Sequence, residues 1–208
     1  MASSASSRGI AAIVGVGPNL GLSIARKFAH EGYTVAILAR DLGRLSRFAD
    51  EIAREEKAQV FAIRIDCSDS RSVREAFEGV LSLGFVEILV YNAYQPLPWY
   101  PTSFQDLRVD SFEKSLAISS VGAFHCAQQA LTDMNLHAVG HRGPMLTTTS
   151  SSSQRRNSLG EQSSGVVGGG EGTMDPDSLA QTFWHLHVQD RNAWTQEMDL
   201  RSPSARFF

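Results

Sequence analysis

Apolar residues recur along the first two-thirds of the chain in two rhythms that take turns. Ile10-Ala11-Ala12-Ile13-Val14 is an unbroken apolar run, too short for a helix and suited to a strand buried on both faces. Leu20, Ile24 and Phe28 then recur every four residues and predict a helix over 19–31, which Gly32 stops. Thr34–Ala39 reads as a second strand through Val35, Ile37 and Leu38. Asp41–Glu55 reads as an amphipathic helix with Leu42, Leu45, Phe48 and Ile52 on one face. A third strand is predicted over 59–65, a helix over 70–83 and a fourth strand over 86–90. A longer helix follows over 110–134, with Phe112, Leu116, Phe124, Ala127 and Leu131 as its apolar content. Strands alternating with helices at this spacing predict an α/β fold with a doubly wound, mostly parallel sheet.

Both rhythms are lost over 147–172, TTTSSSSQRRNSLGEQSSGVVGGGEG, where Leu159, Val166 and Val167 are the apolar residues. Such a stretch buries too little surface to offset its ordering entropy, so a flexible Ser/Gly-rich insert is expected. Asp175-Pro176 then opens a helix over 178–189, and a surface tail follows. The expected division is a disordered start at 1–9, an α/β domain at 10–146, a low-complexity linker at 147–172, and a C-terminal helix and tail at 173–208.

Bulk composition narrows the function classes. A chain of 208 residues, 42% hydrophobic and 20% charged, suits one globular domain with a tail. A net charge of −3 argues against nucleic-acid binding, and no apolar run approaches membrane-spanning length. Cys67 and Cys126 form no Cys-x-x-Cys pair and read as reduced, buried thiols of a cytoplasmic protein. The start, MASSASSRG, lacks the apolar stretch of a secretory signal.

Chemistry enters at Gly15–Gly21, GVGPNLG, a glycine-rich turn set between the first strand and the first helix. Glycines there let the backbone turn sharply and approach a pyrophosphate with no Cβ in the way. The helix that follows aims unpaired N–H groups and the positive end of its dipole at the phosphates. The strand before and the helix after are the context this motif requires. Gly15, Gly17, Pro18, Asn19, Leu20 and Gly21 are the candidate dinucleotide-binding residues of the turn.

With this order of motifs, the first two-thirds of the chain resemble the short-chain dehydrogenase/reductase family. Its members have a Rossmann-like fold and move a hydride between NAD(P)(H) and an alcohol or carbonyl. The family's Gly-x-x-x-Gly-x-Gly overlays Gly15, Asn19 and Gly21, with Gly17 as an extra glycine. Asn at the middle position tolerates left-handed backbone. The resemblance implies an acidic residue at the end of the second strand for an NAD enzyme; here Ala39 is followed by Arg40. An arginine there can pair with the 2′-phosphate, so NADP(H) is favoured over NAD(H), with Asp41, one position late, as the competing reading. Asp66-Cys67 resembles the adenine-contacting site, and Asn92-Ala93 the core of the family's Asn-Asn-Ala-Gly motif, flanked here by Tyr91 and Tyr94.

The catalytic half of the resemblance fails. The family uses a Ser, a Tyr and a Lys four residues after it, the lysine lowering a tyrosine pKa that is otherwise near 10. This chain has no tyrosine after Tyr100 and no lysine after Lys114. The family's helical Asn corresponds to Ser119, and Ser150, Ser151 or Ser152 could overlie its Ser. No catalytic residue is assigned, and Tyr94 is the sole tyrosine in a plausible neighbourhood. Met174–Leu200 resembles the C-terminal segment of one plant and bacterial branch, so a truncated or altered middle is expected. Two readings follow. One is an NADP(H)-linked oxidoreductase by family, impaired for want of the pair. The other is a non-catalytic dinucleotide-binding or interaction protein that pairs with a full-length relative or with itself.

Other motifs carry less. His185 and His187 with Asp190 suggest a metal, but helical positions two apart face away from each other. Trp184 and Trp194 read as packing the tail onto the domain. His125 and Cys126 read as core or helix-interface residues, and Arg155-Arg156-Asn157-Ser158 as a short basophilic kinase motif.

Overall fold

Ile10–Val14 is buried at all of its positions, which places it inside a sheet rather than at an edge. The computed structural model describes residues 9–95, 105, 107–137, 145–147, 174–190 and 192–200. In it β1 (Ile10–Val14) lies between β2 (Thr34–Ala39) and β4 (Val86–Tyr91), with β3 (Val60–Arg64) beyond β2 and β5 (Met145–Thr147) beyond β4. All four strand pairings are parallel, so the expected doubly wound sheet is formed. The helices are α1 (Leu20–His30), α2 (Leu42–Glu56), α3 (Ser70–Leu81), α4 (Val109–Leu116), α5 (Ala123–His137) and α6 (Pro176–His187), with a π-helical segment, Ala117–Gly122, joining α4 to α5.

Strand alternation divides the core into two layers. Ile10, Ala12, Val14, Ala36, Leu38, Leu89 and Tyr91 face α3 and α5, where Phe77, Val80, Cys126 and Ala130 cover them. Ala11, Ile13, Val35, Ile37, Ile88 and Val90 face α1, α2 and α6, under Ile24, Phe28, Leu45, Ile52 and Phe183. The β1–β4 ladder is interrupted once: Ile10 pairs with Val86 but Ala11 with Ile88, leaving Glu87 as an extra residue. Its carboxylate accepts hydrogen bonds from the Gly9 backbone N–H at 2.8 Å and the Tyr33 hydroxyl at 2.7 Å.

Local chemistry sets the helix ends. Asn19 and Asp41, expected inside their helices, stand one residue before them as caps, and the Asp41 carboxylate accepts from the Arg44 N–H at 3.0 Å. Asp175 caps α6 in the same way, through the Ser178 N–H at 2.8 Å. At the end of α1, Gly32 adopts φ 86°, and the Tyr33 and Gly32 N–H groups bond back to the Phe28 and Ala29 carbonyls. The Tyr33 ring closes edge-on against Phe28, with centroids 5.6 Å apart, which completes a Schellman stop.

The large apolar residues of the long helix do not face the sheet: Phe112, Leu116, Phe124 and Leu131 are 47%, 43%, 60% and 49% exposed. The buried side of this helical rod is built of Ile118, Gly122, Cys126, Ala127 and Ala130. The reason is proximity: a Cβ on Gly122 would stand 2.5 Å from the Cys67 carbonyl oxygen, so the rod lies too close for bulky residues.

The last helix is part of the second layer. Ala180 and Phe183 are buried against it, and Trp184 packs on Phe28 at 5.6 Å, whereas Trp194 is exposed. His187 turns inward to Tyr33 while His185 points to solvent. Among the described residues no cluster of three or more His, Cys, Asp or Glu side chains is placed to hold a metal. No described helix is long and apolar enough to cross a membrane. Residues 148–172, with Ser150, Ser151, Ser152 and the Arg155–Ser158 motif, lie outside the described residues.

Candidate functional site

The connections from β1 and β4 run to opposite sides of the sheet, and such a switch opens a crevice at the strands' carboxyl ends. Gly15 follows β1 with φ 87°, a value that disfavours any side chain. A Cβ there would also come 2.4 Å from the Ala93 nitrogen, because the chain leaving β4 crosses directly over the turn. Asn92 locks that crossing. Its N–H donates to the Val14 carbonyl at 2.8 Å and its side-chain amide donates to the Gly15 carbonyl at 3.1 Å.

The remaining residues of the turn divide by role. Gly21 lets α1 sit against the turn, since a Cβ would meet the Val16 Cα at 2.8 Å. Around Gly17 a Cβ would find nothing within 4 Å, so its bare backbone faces open space. Asn19 has φ −108°, so the left-handed tolerance expected of it is not used. It serves through its carbonyl, which accepts from the Leu22 and Ser23 N–H groups.

A cleft of roughly 430 Å³ lies over these strand ends, lined by Gly15, Val16, Gly17, Ala39, Arg40, Asp41, Arg44, Ile65, Asp66, Cys67, Asn92, Ala93, Tyr94 and Ile118. Seven of the expected residues thus converge: Gly15, Gly17, Arg40, Asp66, Cys67, Asn92 and Ala93. Pro18, Asn19, Leu20 and Gly21 do not line the cleft; they build the back of the turn and the start of α1. Arg44 and Ile118, with the apolar Val16 and Ile65, are additions to the residues expected from the sequence. Arg44 had a signal, standing four residues after Arg40 in the first turn of an amphipathic helix. Ile118 had none, because the π-helical segment sets its direction.

The charges at the mouth are ordered. Asp41 is committed to its cap, with Arg44 Nε a further 3.7 Å from its other oxygen. Asp66 accepts from the Ser68 hydroxyl at 2.7 Å and the Ser68 N–H at 3.0 Å. Those bonds, the hydroxyl's first, hold its carboxyl below the usual carboxylate range, and the charges of Arg40 and Arg64 add to the effect. Behind the cleft the Tyr91 hydroxyl donates to the Ile118 carbonyl, and burial pushes its pKa upward.

The glycine turn, the crossing after β4 and the strand order together set the terms for comparison with known proteins. The chain is 30% identical over 122 residues to sorbitol-6-phosphate 2-dehydrogenase of Escherichia coli, a match covering 58% of this chain and 46% of that protein. It is 33% identical over 118 residues to retinol dehydrogenase 12 of Bos taurus, covering 55% of this chain and 35% of that protein. It therefore spans less than half the length of these relatives. Among solved structures, an alcohol dehydrogenase from the archaeon Thermococcus sibiricus, complexed with 5-hydroxy-NADP, superposes with a TM-score of 0.79 at 24% identity. That superposition covers 95% of this chain and 98% of that one and shows a shared fold. The family model of the short chain dehydrogenases matches residues 9–162, most of the chain and all of the cleft just described, and the chain belongs to that family.

Proposed function

We propose that this chain binds NADP(H) in the cleft and that its oxidoreductase chemistry is impaired for want of an acid–base pair. The observation that carries the first part is the pairing of Arg40 with Arg44 at the same mouth as Gly15 and Gly17, where Asp41 is held by its cap. Two guanidinium groups suit a 2′-phosphate, and an occupied Asp41 carboxylate is poorly suited to take ribose hydroxyls instead. The bare backbone at Gly17 and the N-terminus of α1 suit the pyrophosphate, and Asp66 with Cys67 suits the adenine end. When bound, the nicotinamide exchanges a hydride with an alcohol or carbonyl.

The impaired reading rests on the sequence, which holds no tyrosine after Tyr100 and no lysine after Lys114. Tyr91 is no substitute, because it is buried and its hydroxyl is spent on the Ile118 carbonyl. Tyr94 is the described tyrosine that lines the cleft and is the one to test. The experiment is a fluorescence titration of the purified chain with NADPH and NADH, repeated on Arg40→Ala, with turnover assayed over a panel of carbonyls. The expected result is saturable NADPH binding, weaker NADH binding, a loss in Arg40→Ala and no turnover. Equal affinity for both cofactors refutes the preference, and turnover abolished in Tyr94→Phe refutes the impaired reading.

A second reading, pairing with a full-length relative or a second copy, is favoured by the exposed stripe of Phe112, Leu116, Phe124 and Leu131. Sedimentation of the chain alone and mixed with a relative tests it, with Phe124→Asp expected to abolish any complex. The free thiols Cys67 and Cys126 suit a reducing compartment, in keeping with the cytoplasm.

A further inference from the structure

Cys67, placed above at the adenine end of the cleft, lies in the same core layer as a second thiol, Cys126, that the reading above does not use. Cys67 lines the cleft at the end of the chain segment after β3 and is 8% exposed. Cys126 is 0% exposed on α5, and both are free thiols. The sequence gives no hint that they meet, since neither belongs to a short-range motif. Gly122 brings them together. Its missing side chain lets the helical rod rest on Cys67, where a Cβ would stand 2.5 Å from the carbonyl oxygen and 3.0 Å from the Cys67 Cβ. Cys126 follows one helical turn later on the same face. Both thiols belong to the same buried core layer between the sheet and α5.

We propose that Cys67 and Cys126 are a redox modification site in which Cys67 reacts with a peroxide entering through the cleft and Cys126 resolves it as an intramolecular disulfide. The two sulfurs are inequivalent in the way this needs. The hydrogen bond from Cys126 lowers the Cys67 pKa against the effect of burial, whereas giving that bond and being buried push Cys126 up. The Tyr91 hydroxyl adds to the lowering at Cys67, while the neighbouring Asp66 charge opposes it and Arg40 offsets part of that opposition. Cys67 lines the cleft whereas Cys126 is fully enclosed, so Cys67 is the thiol with a path to solvent and the nucleophile, and the shifts agree with that order.

The chemistry closes with hydrogen peroxide as oxidant. The Cys67 thiolate attacks one peroxide oxygen and the O–O bond breaks. The departing hydroxide takes a proton to leave as water, and Cys67 becomes a sulfenic acid. The Cys126 sulfur then attacks the Cys67 sulfur. An S–S bond forms and the S–O bond breaks, and the hydroxyl leaves with the Cys126 proton as a second water. Two thiols lose two electrons and one peroxide gains them.

The test uses the unmodified chain and needs no cofactor. Protein treated with hydrogen peroxide is denatured, alkylated and digested, and the cysteine peptides are identified by mass. The expected result is loss of both alkylatable thiols, a Cys67–Cys126 linked peptide and full recovery with dithiothreitol. Cys126→Ala is expected to stop at a Cys67 sulfenic acid that dimedone traps, and Cys67→Ala to leave Cys126 unmodified. A Cys67 sulfinic acid beside a free Cys126 in the unmodified chain overturns the proposal. So does a disulfide between two chains, or two thiols that stay free.

Discussion

The Tyr33 hydroxyl lies 2.6 Å from His187 Nε2, joining the start of the second strand to the end of the last helix across 154 positions of sequence. Because that hydroxyl gives its one proton to Glu87 at 2.7 Å, it must accept from His187, which sets the imidazole with its proton on Nε2. Tyr33→Phe removes the bridge while keeping the ring that packs on Phe28 and Trp184. Loss of a partly buried hydrogen-bonded bridge costs about 1–3 kcal/mol. Urea unfolding of the variant is expected to show a lowered midpoint with an unchanged slope; an unchanged midpoint would mean that the aromatic packing alone holds α6.

Two glycines of the same turn are expected to respond differently. Gly15→Ala puts a Cβ 2.4 Å from the Ala93 nitrogen at φ 87°, and is expected to destabilise the fold by at least about 1–2 kcal/mol from the backbone term alone. Gly17→Ala meets nothing within 4 Å and is expected to leave stability within about 0.5 kcal/mol. It should instead weaken NADPH binding. Thermal unfolding and the cofactor titration, run side by side on both variants, separate these roles.

Asp66 gives the cleft a pH dependence of known sign. Its folded pKa lies below the ordinary value of 3.8, chiefly through the Ser68 hydroxyl. A depressed carboxylate pKa contributes stability that is present above the unfolded value and is lost as pH falls through the folded one. Carboxyl carbon NMR should place the Asp66 midpoint below 3.8, and Ser68→Ala should move it back upward. A midpoint at or above 3.8 in the unmodified chain would contradict the hydrogen-bond geometry.

Gly122→Ala tests why the helical rod shows its small side to the sheet. The added methyl would meet the Cys67 carbonyl at 2.5 Å and the Tyr91 hydroxyl at 2.8 Å, neither of which can swing aside freely. Overpacking of this kind costs about 1–3 kcal/mol. Thermal unfolding should fall accordingly, and an unchanged melting temperature would show that the rod lifts without strain.

The strands and most helices were legible in the sequence because burial on both faces leaves an unmistakable apolar run, as in Ile10–Val14, and one-sided burial leaves a stripe, as in Ile24 and Phe28. Which face of the helical rod is buried was not legible, for a physical reason. Side-chain size marks the face that hydropathy prefers to bury, but closeness to the sheet selected Gly122, Cys126 and Ala130, and left Phe112 and Phe124 outside. At the cleft, the glycine turn announced Gly15, whose backbone conformation requires a glycine, and Gly17 beside it, whose bare backbone faces open space. Arg44, Ile118 and the meeting of Cys67 with Cys126 depend on how separate elements end against one another, which no local pattern encodes.

The extra residue in β4 has a practical meaning. Glu87 holds Gly9 directly and, through Tyr33, the end of α6, so the chain on either side of the sheet emerges beside one carboxylate. That carboxylate sits at the amino ends of the strands, about 16 Å from the cleft at roughly 3.3 Å per residue of β1. A fluorophore, surface linker or fused reporter attached at Gly9 or shortly beyond His187 thereby starts from the end of the sheet opposite the cleft. Both attachment points report on the same corner of the molecule while leaving the mouth formed by Arg40 and Arg44 open.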